Sequence, residues 1–164
     1  MRSPAGLGIA ASIFLFCIAL TLPAFSYVSG QGALDHMPGY LTLLLGVFGT
    51  LMGLIDLFTR GDAQYLGYLS WIANLMLPLA WVLLASGERS KACYAGIAAL
   101  GLSLLFLMIH SFSLPDHGEM AMAGPGIGYF CWLASMGAIV LATFLPGGQE
   151  VASKRDPKAR YVDW

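Results

Sequence analysis

Five long stretches of this chain carry almost no charge: Ala5–Phe25, Gly39–Phe58, Tyr65–Ser86, Ala92–Phe112 and Gly126–Phe144. The chain has 8 Lys and Arg and 9 Asp and Glu residues, and of these only Asp56 falls inside a stretch, near its end. A helix rises about 1.5 Å per residue, so about 20 residues cross a hydrocarbon layer about 30 Å thick. Each stretch is long enough to do so. The expected fold is all-α, an integral membrane bundle of five transmembrane helices over residues 1–148. A short, basic, polar C-terminal tail follows at 149–164.

Composition narrows the function classes. The 164 residues are 58% hydrophobic and 10% charged, whereas soluble domains lie nearer 45–50% and 25%. Five spans leave connections too short to hold a soluble catalytic domain. A net charge of −1 with no basic patch beyond the tail argues against a nucleic-acid partner. The three cysteines, Cys17, Cys93 and Cys131, all lie inside apolar stretches without a CxxC pair. They read as small packing residues, not as a disulfide framework. The first stretch follows Arg2 and exceeds the usual 7–15-residue core of a signal peptide, so it reads as a span.

Charge sets an expected orientation. Five crossings put the termini on opposite sides. With the C-terminus cytoplasmic, Arg89, Lys91, Lys154, Arg155, Lys158 and Arg160 lie inside, leaving Arg2 and Arg60 outside. Basic residues favour the cytoplasmic side, so the N-terminus is expected outside and the C-terminus inside. Arg2 fits this scheme badly. A four-crossing scheme, with the Gly-rich second stretch re-entrant, puts both termini inside.

Lipid supplies no hydrophobic force between helices, so close backbone approach and hydrogen bonds must hold them together. Small residues mark candidate contact faces at Gly49 and Gly53, at Gly96, and at Ala134 and Ala138. In the third stretch Trp71, Asn74, Pro78, Trp81 and Ala85 step by three and four and share one face. Pro78 has no amide proton, which frees the Asn74 carbonyl and predicts a bend. An unpaired polar group is expensive in hydrocarbon. The Asn74 face is therefore read first as glue between helices, with a ligand or ion site at the kink as the alternative.

Other residues with chemical capacity are few. Asp56 and Arg60 stand four apart, suited to a helical ion pair; an acid near the membrane core is otherwise a candidate for proton or cation movement. Asp35-His36 lies in the first loop, and Asp116-His117 in the fourth, with His110, Glu119, Met120 and Met122. Imidazole and thioether can bind transition metals, and His117, Met120 and Met122 are weak candidates. Strict alternation of five crossings would keep the two loops on opposite sides of the membrane. No phosphate-binding loop, HExxH or GxSxG occurs, and no cofactor is implied.

Ser70-Trp71-Ile72-Ala73-Asn74 and Gly128-Tyr129-Phe130-Cys131-Trp132-Leu133-Ala134-Ser135 resemble the paired motifs of a family of small bacterial multi-pass inner-membrane proteins. In that family a Trp-x-Ala-Asn-Pro motif precedes an acidic loop and then Gly-Tyr-x-x-Trp-Leu. The similarity covers about Gly39–Phe144. Here Leu75 stands where the family has proline, and Pro78 lies one turn on. The resemblance implies a bacterial inner membrane and supplies no activity.

The leading expectation is a non-enzymatic integral membrane subunit. It would sit in the lipid bilayer and pack against other membrane proteins or a second copy of itself. The alternatives are a small oligomeric channel or transporter using Asn74, Pro78 and Asp56, and a metal-binding membrane component.

Overall fold

The computed structural model describes residues 4–28, 32–60, 69–108, 111–114 and 118–145. Helix α1 (Pro4–Thr21) ends just before Pro23, because the residue ahead of a proline is pushed out of the helical region. The chain then forms an antiparallel hairpin, β1 (Pro23–Val28) and β2 (Leu34–Pro38). Helix α2 (Gly39–Arg60) follows directly. A 3-10 turn at residues 69–72 leads into α3 (Ala73–Ala85), and α4 (Arg89–Leu104) continues as a 3-10 turn at Leu105–Met108. A second hairpin, β3 (Ser111–Leu114) and β4 (Gly118–Pro125), precedes α5 (Ile127–Phe144).

Among the described residues, four helices are long and apolar enough to cross a membrane: α1, α2, α4 with its extension, and α5. The α3 segment, Leu69–Ala85, is apolar but shorter. The bundle itself is built from α1, α3, α4 and α5. In α3 the buried residues are Ala73, Leu77, Ala80 and Leu84, and in α4 they include Ala92, Ala95 and Ala99. Each set falls on one helical stripe, and Met136 and Ile139 of α5 close the core between them. Alanine at most of these positions lets the backbones approach closely, as packing without a hydrophobic driving force requires.

The expectation of a purely helical fold is corrected by a four-stranded antiparallel sheet, in the order β2-β1-β4-β3. The two hairpins come from the first and fourth loops, which five alternating crossings would hold apart. Tyr27 of β1 faces both Asp35 of β2 and Met122 of β4. The register places Phe25, Met37, Tyr27 and Met122 toward the bundle, over Phe106 and Tyr129. Ser26, Val28 and His36 alternate to the other face. Aromatic and β-branched residues in β1 suit this half-buried surface. Phe25 and Phe106 lie 5.7 Å apart, and Phe106 stacks on Tyr129 at 5.2 Å.

Helix direction explains how the loops meet. Five alternating crossings make the first and last helices parallel, but α1 and α5 are antiparallel. Gly8 abuts Ala142, Ser12 bonds to Ser135, and Gly128 lies against the Ala19 and Leu22 carbonyls. Helix α2 leaves from the sheet end, where the Gly39 amide donates to the Leu22 carbonyl at 2.9 Å. The chain re-enters the bundle at the same end, because the Trp71 indole donates to the Leu43 carbonyl at 2.7 Å. The α2 excursion therefore contributes no net change of side. Pro4 and Phe144 lie at the same end of the bundle, opposite the sheet. Residues 1–3 and 146–164, on which the expectation for the termini falls, lie outside the described residues.

Candidate functional site

Polar groups inside the bundle form one connected ladder. Ser12 is the only hydroxyl-bearing residue in α1 before Thr21 and is fully buried. Its Oγ donates to the Ser135 carbonyl at 2.7 Å and accepts the Trp81 indole N–H at 2.8 Å. That single hydroxyl joins α1, α3 and α5. The Ser135 hydroxyl donates to the Trp132 carbonyl at 2.7 Å, and the Trp132 indole donates to Asn74 Oδ1 at 3.0 Å. Toward the sheet, the Tyr129 hydroxyl donates to the Ser103 carbonyl at 3.1 Å and ties α5 to α4.

Asn74 and Trp71 therefore act where the α3 face meets its neighbours. Trp71 packs its ring on Gly46, where a Cβ would collide with it. Asn74 is half-buried, and its carboxamide oxygen is taken by Trp132. Pro78 lies inside α3 on an exposed side. Trp81 also meets Phe16 edge-on at 5.8 Å.

No buried side-chain nitrogen or oxygen among the described residues lacks a hydrogen-bond partner. Helical Ser and Thr satisfy themselves by donating to a carbonyl three or four residues back, as Thr50 does to Gly46 and Thr143 to Val140. This is the usual solution for a hydroxyl in a helix that lacks water. The arrangement joins α1, α3, α4 and α5.

The remaining candidates are dispersed. Asp56 and Arg60 lie on α2, and their side chains fall outside the described residues, as do those of Met120 and Glu119. His110, Asp116 and His117 also lie outside them. Met122 packs into the aromatic cluster under the sheet. His36 is exposed on β2, with its Nδ1 2.8 Å from the Ser26 hydroxyl, on the face of the sheet away from Met122. Although the hairpins adjoin, no group of three or more His, Cys, Asp or Glu suited to a metal occurs among the described residues.

Among the small residues, Gly96 is buried with the Val140 Cγ2 2.7 Å from where its Cβ would stand. Gly53 is buried, Gly49 and Ala138 are half-buried, and Ala134 is exposed. These contacts lie largely within the chain. The sequence marks Ser135 only as the end of the Gly128–Ser135 motif and does not single out Ser12. Ser12 is the lone hydroxyl of its apolar run before Thr21, and Ser135 stands mid-helix between Tyr129 and Thr143, both at a depth where a hydroxyl must find a partner.

Comparison with family models, curated proteins and solved structures gives no match for this chain.

Proposed function

We propose that this chain is a non-enzymatic integral membrane subunit of a bacterial inner membrane that packs against partner membrane proteins. The observation that carries this reading is helix α2. It is a 22-residue apolar helix attached to the bundle mainly at its first turns. Phe48, Leu51, Met52, Ile55 and Phe58 remain exposed, Phe58 at 86%. Gly8 of α1 and Gly96 of α4 already meet α5 within the bundle. The α2 flank is one large apolar surface open to a neighbour, beside exposed Phe14, Val82 and Leu141 on the other helices. The bacterial location rests on the Trp71–Asn74 and Gly128–Leu133 motifs.

The closed interior supports this reading over a channel within one chain. Leu77, Met136 and Ile139 are fully buried, and the Ser12 and Ser135 hydroxyls are engaged. The same-end geometry also favours a definite orientation. With the end opposite the sheet cytoplasmic, Arg89 and Lys91, at the start of α4, fall on that side, in keeping with the positive-inside bias. The sheet would then face the periplasm.

Purification of the full chain in mild detergent tests the subunit reading. The expected result is a discrete assembly larger than one chain, lost when Phe48 and Met52 are changed together to serine. A stable monomer under the same conditions counts against it.

A further inference from the structure

Away from the sheet, α4 and α5 enclose a cleft of about 290 Å³, lined by Arg89, Ser90, Cys93, Tyr94, Thr143 and Phe144. We infer that this cleft binds the headgroup of an anionic phospholipid. The inference rests on the membrane reading above and adds a ligand to it.

Glu88 is the nearest acid in sequence, and it pairs with Lys91 at 3.2 Å. Arg89 forms no ion pair or side-chain hydrogen bond among the described residues, although it is only half exposed. A guanidinium carries five donors in a planar fork that matches phosphate oxygens. Ser90 adds a hydroxyl on the same turn. Thr143 is not a competing donor, since its hydroxyl is committed to the Val140 carbonyl at 2.7 Å.

The walls imply the shape of the ligand. Arg89 and Ser90 supply polar donors to the cleft, and Tyr94 and Phe144, which also line it, are exposed at 72% and 73%. The volume is many times what one water needs. An anion with an apolar continuation matches both features, and a small inorganic ion matches only the first. Aromatic rings at the end of an apolar bundle also stand at headgroup depth. Anionic lipid near a basic residue gains about 1 kcal/mol, which sets the expected size of the effect.

The test uses the full chain in nanodiscs of phosphatidylcholine with or without phosphatidylglycerol, the same mixture in both leaflets, so that orientation is irrelevant. Native mass spectrometry counts retained lipid. Wild type should retain phosphatidylglycerol over phosphatidylcholine. Arg89→Gln should lower that preference about fivefold, while Lys91→Gln, which removes a cation already paired to Glu88, should leave it unchanged. A headgroup-labelled photoreactive phosphatidylglycerol should crosslink wild type between Arg89 and Tyr94, and unlabelled phosphatidylglycerol should compete. That arm keeps the inference testable should Arg89→Gln not fold. Equal retention of both lipids, an equal effect of Lys91→Gln, or displacement of the labelled lipid by millimolar inorganic phosphate each overturns it. A failure here with an intact large assembly in detergent removes the lipid site alone. A monomer that still retains phosphatidylglycerol removes the subunit reading alone.

Discussion

Trp71 donates its indole N–H to the Leu43 carbonyl at 2.7 Å, and its ring covers Gly46. This contact ties the first turn before α3 to the first turns of α2. The chain must therefore return to the end of the bundle from which α2 departed. Helices α1 and α5 accordingly run antiparallel.

The consequence is measurable. With the native cysteines replaced by alanine, single cysteines at Pro4 and Leu145, beside the far ends of α1 and α5, should react with an impermeant thiol reagent from the same side of the membrane. A cysteine at Val28 should react from the other side. Labelling of Pro4 and Leu145 from opposite sides would falsify the antiparallel arrangement.

The Ser12 hydroxyl is the hub of three helices. Ser12→Ala leaves the Trp81 N–H without its acceptor and breaks the link to the Ser135 carbonyl. The expected loss of stability is about 1–2 kcal/mol, read from reversible unfolding in mixed micelles. Trp81→Phe made in both backgrounds isolates the pair. The coupling should be about 0.6–1.7 kcal/mol. Additive single effects would mean that the hydrogen bond contributes nothing measurable.

Asn74 accepts from Trp132 at 3.0 Å, which makes it a tie between α3 and α5. Asn74→Leu should lower stability by about 1 kcal/mol, and Trp132→Phe should largely remove the difference. Liposomes carrying either wild type or Asn74→Leu should show the same ion leak as empty ones. A wild-type flux that vanishes in Asn74→Leu would restore the channel reading.

Some of this arrangement was legible in the sequence for simple reasons. The start of α5, expected at Gly126, appears at Ile127, because Pro125 closes the strand before it. The Trp71–Asn74 face was visible as three- and four-residue spacing, and it does meet neighbouring helices. The strands were hidden for a physical reason. Pro23-Ala24-Phe25 is as apolar as the helix before it, so hydropathy runs on through Thr21, although the backbone changes at Pro23. Phe112 was absorbed into the fourth stretch in the same way, yet lies on β3. Strand pairing between residues about a hundred positions apart leaves no local mark, so the sheet could not be read from one sequence, and the Gly-rich second stretch offered a re-entrant course only as an alternative. Ser12 was passed over because a lone hydroxyl barely changes mean hydropathy.

The joining of the two hairpins can be checked by covalent capture. Val28 of β1 lies opposite Ala121 of β4, and opposed residues in an antiparallel pair have Cβ atoms about 4.5–5.5 Å apart. That spacing is near what a disulfide needs. Val28→Cys with Ala121→Cys, in a background without native cysteines, should crosslink under mild oxidation. A protease site placed between α2 and α3 would then yield two fragments that separate only after reduction. The control pair Val28→Cys with Ser86→Cys should stay reduced, because Ser86 follows α3 at the other end of the bundle.

The closest helix contact offers a compensating pair. A Cβ on Gly8 would collide with the Ala142 Cβ and would stand 3.3 Å from the Ala142 Cα. Gly8→Ala must therefore separate α1 from α5 or shift their register, at a cost of about 1–3 kcal/mol. Ala142 is itself buried, at 1% exposed, so Ala142→Gly alone should also destabilise, by removing packed atoms. The two changes together exchange the methyl between facing positions and leave the packed volume nearly constant. The double variant should accordingly be more stable than Gly8→Ala alone, a sign reversal that only direct contact produces. If Ala142→Gly instead costs the same in both backgrounds, α1 and α5 do not meet at these residues, and the antiparallel pairing that sets the whole arrangement is wrong.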